Sequence, residues 1–92
     1  MKNSEVIDKF LNKDFGYKAS NLYSKEDKIV NYNTVLAQWF NDILLINITK
    51  YSITSSRNQN ALVYGADKKG IKWYTVSDIG MNTNNLTYKY NG

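Results

Sequence analysis

The chain has 92 residues and contains no cysteine, no histidine and no proline. Without cysteine it has no disulfide, no thiolate metal site and no cysteine nucleophile. Without histidine it lacks the commonest general base and metal ligand, and it cannot form a Ser-His-Asp triad. We therefore expect no hydrolase or transferase chemistry, no bound transition metal and no cofactor.

An enzyme built on carboxylates alone is the remaining catalytic alternative. The chain has eight Asp and Glu residues, and their spacing places no two on one face of a core strand. The adjacent pair Glu26 and Asp27 falls in a charged turn, where such side chains are usually solvated. The sequence therefore favours a protein that binds over one that catalyses a reaction.

Long apolar runs are also missing. No run reaches the roughly 18 residues that a membrane span needs. The N-terminal stretch MKNSEVIDKF has no apolar segment of the kind that signal peptides carry. We expect a cytoplasmic protein without a membrane partner, and the sequence leaves its oligomeric state open.

The charge and the aromatic content both bear on the partner. The net charge is +4, and Arg57 is the single arginine among twelve Lys and Arg residues. This balance suits a nucleic acid or an acidic protein partner, although a solvated lysine-rich surface is the commoner explanation of it. Tyrosine is favoured at protein interfaces, although Tyr32, Tyr51, Tyr74 and Tyr88 can each be half-buried strand residues instead.

Hydrophobic periodicity predicts one α+β domain over residues 1–92. A helix is predicted at 4–12, capped by Ser4, with four apolar residues on one face. These are Val6, Ile7, Phe10 and Leu11. Strands are predicted at 18–24, 29–40 (one strand or a pair), 43–53 and 71–76. The expected fold is a small antiparallel sheet of three to five strands with an N-terminal helix and a second helix after the third strand. Residues 80–92 form either an edge strand, through the alternation at 87–90, or a loose tail.

The pattern around Asn41-Asp42 predicts a tight hairpin with a definite register. These two residues form a polar loop that tolerates positive φ. If Phe40 pairs with Ile43, six apolar residues fall on one face of the sheet. They are Val35, Ala37, Trp39, Leu44, Ile46 and Ile48. The opposite face has both polar and apolar residues, so it is either partly exposed to solvent or covered by another part of the chain.

The stretch YSITSSRNQN at 51–60 changes from strand to helical spacing. Ser55 or Ser56 is expected to cap a helix over 57–69, and Gly70 is expected to follow its C-terminus. Ala61, Leu62, Val63 and Ala66 would face inward. Gly65 weakens the helix by roughly 1 kcal/mol relative to alanine, which indicates close packing on the sheet. Arg57 would then lie in the first turn, where the helix dipole disfavours a cation. A carboxylate such as Asp78, or a partner, would compensate it. The corner itself is expected to be partly exposed.

The two segments NYNTVLAQW and NITKYSITSSRNQN resemble a family of small uncharacterised phage and plasmid proteins. The family pattern is a Tyr-x-Thr-x-Ile-Ala strand followed by a Tyr-Ser-x-Thr-Thr-Ser-x-His-Gln helix start. The matching residues here are Tyr32, Thr34, Leu36, Ala37, Tyr51, Ser52, Thr54, Ser55, Ser56 and Gln59. Ser55 stands where the family has Thr, and Asn58 stands where it has His. The resemblance covers about thirty residues and implies a mobile genetic element as the source.

The resemblance, the small size and the lack of catalytic side chains together imply a binding protein that blocks or adjusts host machinery. An anti-CRISPR or other anti-defence inhibitor in a bacterial host cell is such a protein. The candidate partner-binding residues are Tyr32, Thr34, Tyr51, Thr54, Ser56, Arg57 and Gln59. The most direct partner is a host or defence-system protein. The alternative is a module that binds double-stranded RNA or DNA, because helix, three strands and helix is also the order of double-stranded RNA-binding domains.

Overall fold

The computed structural model describes residues 1–80 and 85–87. The chain forms two helices and six strands within these residues. In chain order they are α1 (Asn3–Leu11), β1 (Lys18–Ala19), β2 (Leu22–Lys25), β3 (Lys28–Asn31), β4 (Thr34–Phe40), β5 (Ile43–Asn47), α2 (Ile53–Lys68) and β6 (Lys72–Val76). The α+β class is confirmed. The predicted strand at 87–90 lies, apart from Thr87, outside the described residues.

All six strands join one sheet in the order β1-β2-β3-β4-β5-β6. The first four pairings are antiparallel, and β6 pairs parallel with β5. Because a parallel neighbour needs a long crossover, α2 supplies that connection. The expectation of a three- to five-stranded antiparallel sheet was therefore wrong in strand number and in direction, and α2 follows the fifth strand rather than the third.

The extra strands arise because two predicted segments fold back on themselves. The segment 18–24 turns at Ser20, where φ is +49°, and 29–40 turns at Tyr32 and Asn33, where φ is +51° and +65°. Neither turn contains glycine or proline, which are the residues that usually mark a turn in a sequence. The turn at Asn41 has φ +56°, as its polar pattern predicts.

The hairpin register is confirmed over its paired length. Phe40 pairs with Ile43, Trp39 with Leu44 and Ala37 with Ile46. Two residues of the predicted face lie elsewhere. A bulge shifts the β3–β4 register between Ile29 and Val30 and leaves Leu36 unpaired there, so Val35 belongs to the opposite face. Ile48 follows the end of β5 and is 45% exposed.

The sheet has a core on each face. The larger core lies between one face and both helices. The smaller one contains Val30, Val35, Leu45, Val76, Ile79 and Leu86. The backbone N–H of Leu86 donates a hydrogen bond to Gln38 Oε1 at 2.8 Å. The mixed face is thus covered in part by residues that follow β6.

Helix α1 buries the predicted apolar face of Val6, Ile7, Phe10 and Leu11. Its N-cap is Lys2, so Ser4 lies inside the helix and the predicted cap was wrong. The Lys2 backbone N–H donates to Glu5 Oε1 at 2.9 Å, which supplies the first turn with a carboxylate where the dipole favours one.

Helices α1 and α2 approach closely at Gly65. A Cβ atom added at Gly65 would lie 2.6 Å from Leu11 Cδ1, so any larger residue at this position would require the Leu11 side chain to move. The close contact that the sequence indicates is therefore with α1 and not with the sheet. Among the described residues, no helix combines the length and the apolar character required to cross a membrane.

Candidate functional site

The strand-to-helix corner begins earlier than the sequence indicates. Ser52 is the N-cap of α2, with extended backbone, and its Oγ accepts a hydrogen bond from the Ser55 N–H at 3.1 Å. The predicted caps, Ser55 and Ser56, lie within the helix, and Arg57 is its fifth residue. Because the dipole effect fades beyond the first turn, Arg57 does not carry the electrostatic cost that a first-turn position implies.

Ser55 joins the helix to two turns of the sheet. It is buried, and its Oγ donates to Asn31 Oδ1 at 2.8 Å. Asn31, at the end of β3, donates from Nδ2 to the carbonyl of Asn21 in the β1–β2 turn at 3.1 Å. A buried polar group is stable only when its hydrogen bonds are made, so this chain fixes the position of the helix start over the sheet.

A second hydrogen-bond network ties the corner to the end of β5. Asn47 is fully buried and donates from Nδ2 to the Val35 carbonyl and to Tyr51 Oη, at 3.1 and 2.9 Å. The Tyr51 hydroxyl in turn donates to the Ile79 carbonyl at 2.7 Å. Gln59 Nε2 donates to the carbonyls of Asn47 and Thr49, at 2.7 and 2.8 Å. The 48–52 connection is therefore held from both sides.

The β3–β4 turn projects an aromatic ring beside this corner. Tyr32 and Asn33 form a two-residue loop in which both φ angles are positive, as in a type I′ turn. Such turns usually contain Asn-Gly or Asp-Gly, and a bulky residue with φ > 0 is uncommon. Tyr32 is nevertheless 53% exposed, so its ring adds little burial to offset the unfavourable backbone.

These elements enclose a pocket of about 400 Å³, called here the corner pocket. Its lining residues are Asn31, Tyr32, Thr34, Tyr51, Ser52, Thr54 and Ser55. Four of the seven predicted site residues are brought together in it, namely Tyr32, Thr34, Tyr51 and Thr54. Sequence reasoning did not include Asn31, Ser52 and Ser55 among the site residues. Ser52 and Ser55 match the family pattern, whereas Asn31 precedes its first matching residue and has no signal that separates it from the other twelve asparagines.

The remaining three predicted residues lie outside the corner pocket. Ser56 and Gln59 line a neighbouring hollow of about 330 Å³ with Ile48, Lys50, Asn60 and Val63. Gln59 is buried and its amide nitrogen is used internally, so its geometry suits positioning of the corner more than contact with a partner. Arg57 is exposed on α2.

The corner carries exposed charged side chains. Arg57 and Lys50 are exposed, and neither forms an ion pair with the carboxylates of the described residues. Because β6 runs parallel to β5, the residues that follow the two strands lie at the same end of the sheet. Asp78, which follows β6, is therefore at the corner end, and its side chain is exposed. Asp42 lies at the opposite end, where it pairs with Lys13 at 3.4 Å. The intramolecular carboxylate suggested for Arg57 is thus not seen in the described part of the chain.

Ligands for a metal ion do not assemble in the part of the chain that the structure describes, where no three Asp or Glu side chains come together.

No family model, no curated protein and no solved structure matches this chain. The resemblance to phage and plasmid proteins therefore stays a hypothesis.

Proposed function

We propose that this protein is a non-catalytic binding protein from a mobile element. In this proposal it attaches through its strand-to-helix corner to a host protein in the bacterial cytoplasm and inhibits or modulates it, in the manner of an anti-CRISPR or other anti-defence inhibitor. The corner surface comprises the corner pocket together with the exposed side chains of Ile48, Lys50, Ile53 and Arg57.

The observation that carries this proposal is a surface of large apolar side chains on a firmly hydrogen-bonded base. Ile53 is 77% exposed, Tyr32 53% and Ile48 45%, and all three occur at the corner. Apolar side chains with a polar rim are typical of protein interfaces. The networks through Asn47 and Asn31 preorganise this surface, which lowers the entropic cost of binding.

The nucleic-acid alternative has less support than the sequence suggests. It depended on an order of helix, three strands and helix, whereas five strands separate α1 from α2. What remains for it is the net charge of +4 and the exposed Arg57. An exposed isoleucine such as Ile53 is not a group that recognises phosphate or sugar. We therefore favour a protein partner.

Co-purification tests the proposal. The protein and two variants, Ile53→Ser and Tyr64→Ser, are used as bait in a nuclease-treated bacterial lysate, and the eluates are examined by mass spectrometry. Tyr64 is a matched control because it is 68% exposed on the same helix, away from the corner pocket. We expect a specific host protein to be captured by the native chain and by Tyr64→Ser, and lost with Ile53→Ser.

Two results would contradict the proposal. Equal capture by Ile53→Ser and the native chain would place the interface elsewhere on the molecule. Capture seen only in a parallel lysate without nuclease, with nucleic acid stained in its eluate, would favour the alternative. Circular dichroism of each variant checks that the fold is retained, as we expect because exposed substitutions change stability little.

A further inference from the structure

The corner pocket also indicates the kind of partner segment that fits it, and this inference rests on the proposed function. We infer that the partner presents an acidic segment that inserts one apolar side chain into the corner pocket and places a carboxylate against Arg57. Three features of the corner support this: the state of its polar atoms, the conformation of Tyr32 and the unpaired cations.

The polar atoms of the corner pocket are largely engaged within the protein. Ser52 Oγ accepts from the Ser55 N–H, and Ser55 Oγ donates to Asn31. The Tyr51 hydroxyl accepts from Asn47 and donates to the Ile79 carbonyl. What these residues still offer a ligand is chiefly the ring of Tyr51 and carbon atoms. Apart from the exposed hydroxyls of Tyr32 and Thr54, the pocket offers a charged or strongly polar group few hydrogen bonds to replace those that it loses with water. An apolar side chain needs no such replacement.

Tyr32 supplies one wall of the corner pocket in a conformation that costs the fold free energy. A non-glycine residue held with φ > 0 is disfavoured by order 1–3 kcal/mol, and such strain clusters at functional sites. Asparagine or glycine would form the same turn at lower cost. The ring is more than half exposed, so it is available to pack against an inserted side chain.

The charged rim is complementary to a carboxylate. Arg57 follows Thr54 by three residues and Ile53 by four, so the helix places it beside both on one face. Its guanidinium can bind a carboxylate through two parallel hydrogen bonds. Lys50 lies on the other side of the helix start, in the hollow with Ser56. Arg57 and Lys50 form no ion pair among the described residues, so both cations are available to an acidic partner.

The first experiment uses four synthetic peptides of equal length as probes. Three carry a central leucine flanked on each side by two glutamates, two glutamines or two lysines, and the fourth has glycine in place of leucine between glutamates. Each is titrated into ¹⁵N-labelled protein and followed by amide chemical shifts. We expect shifts confined to 31–34 and 50–57, with the glutamate-leucine peptide binding at least tenfold more tightly than the other three. Equal binding of the three leucine peptides, or shifts centred on α1, would overturn the inference.

The second experiment separates this inference from the proposed function. The captured host protein is titrated with the native chain, Arg57→Glu, Lys68→Glu and Ile53→Ser. Lys68 is an exposed lysine of the same helix, far from the corner, and controls for net charge. We expect Arg57→Glu to weaken binding at least tenfold and Lys68→Glu less than threefold. If Ile53→Ser abolishes binding while Arg57→Glu and Lys68→Glu act alike, the proposed function stands and the acidic partner is excluded. If Ile53→Ser has no effect, both fail.

Discussion

The two helices pack on the same face of the sheet by different means. Helix α1 buries four apolar side chains and no polar one, whereas the first half of α2 buries Ser55, Asn58 and Gln59 and its second half buries Leu62 and Ala66. Burial of apolar area stabilises in proportion to area and without direction, while a buried amide is stable in one geometry only. We conclude that α1 and the sheet supply stability, and that the start of α2 sets the shape of the corner.

The largest effect is expected at Trp39 of β4, in the apolar core between α1 and the sheet. Its ring packs against Phe10 with centroids 6.3 Å apart, and its indole N–H donates to the Phe10 carbonyl at 3.1 Å. Trp39→Ala removes this packing and leaves a cavity, so we expect a loss of about 3–5 kcal/mol in the free energy of unfolding. Urea denaturation followed by circular dichroism measures it.

The matched control for Trp39 is Tyr64→Ala, whose side chain is exposed. We expect this variant to lie within about 0.5 kcal/mol of the native chain. A Trp39→Ala variant that loses less than about 1 kcal/mol would show that the contact between α1 and the sheet is not the main source of stability.

The next effect is expected at Gln59, one of the buried polar residues in the first half of α2. Gln59→Leu keeps a side chain of similar size but leaves the carbonyls of Asn47 and Thr49 without their donor. A buried group that loses its partner costs about 1–3 kcal/mol, so we expect a loss in that range by urea denaturation. Asn60→Ala, at the exposed neighbouring position, should change stability little. Partner binding should also weaken in Gln59→Leu, because the 48–52 connection is then held from one side only.

A smaller effect is expected at the cap of α2. Ser52→Ala removes the acceptor of the Ser55 N–H and should cost about 1 kcal/mol. Ser4→Ala and Ser56→Ala replace the residues that the sequence favours as caps, and neither should change the free energy of unfolding by as much. A larger loss in Ser56→Ala than in Ser52→Ala would move the helix start to the position that the sequence predicts.

The part of the fold that the sequence predicts is the part that follows apolar spacing. The buried face of α1 and the pairing of Trp39 with Leu44 follow from apolar side chains, because burial alone determines which face of the helix or sheet they occupy. The turn at Tyr32-Asn33 was not resolved from the pattern, because Val30 to Leu36 otherwise reads as one continuous strand. The bulge at Leu36 likewise has no glycine to mark it.

The candidate site shows the same division. The exposed residues of the corner, such as Thr54, follow from the break in periodicity after Ile53. The cap was misplaced because Ile53 continues the alternation of the preceding strand, although in the folded protein it is the first residue of α2. The buried asparagines Asn31 and Asn47 act through partners distant in sequence, so no local pattern separates them from surface asparagines.

The smallest effect is expected at Asn58, next to Gln59 and equally buried at 5% exposure. Among the described residues its Nδ2 has no hydrogen-bond partner, and its Oδ1 accepts only a long bond of 3.4 Å from Asn3 Nδ2. An amide that is buried without its hydrogen bonds destabilises the fold. Replacing it with an apolar side chain of similar size removes that cost. Asn58→Leu should therefore leave the free energy of unfolding unchanged within about 0.5 kcal/mol or raise it.

The comparison of Asn58→Leu with Gln59→Leu is the sharpest test of the division between the two helices. Both variants place a leucine at a buried position of the same helical turn. They differ chiefly in the hydrogen bonds that they remove, and Gln59→Leu also shortens the side chain by one atom. Asn3→Ala, measured alone, controls for the long bond from α1 and should have little effect, because Asn3 is only partly buried. If Asn58→Leu loses as much stability as Gln59→Leu, burial of any amide at this turn matters equally. The corner would then be held by packing and not by the bonds to Asn47 and Thr49.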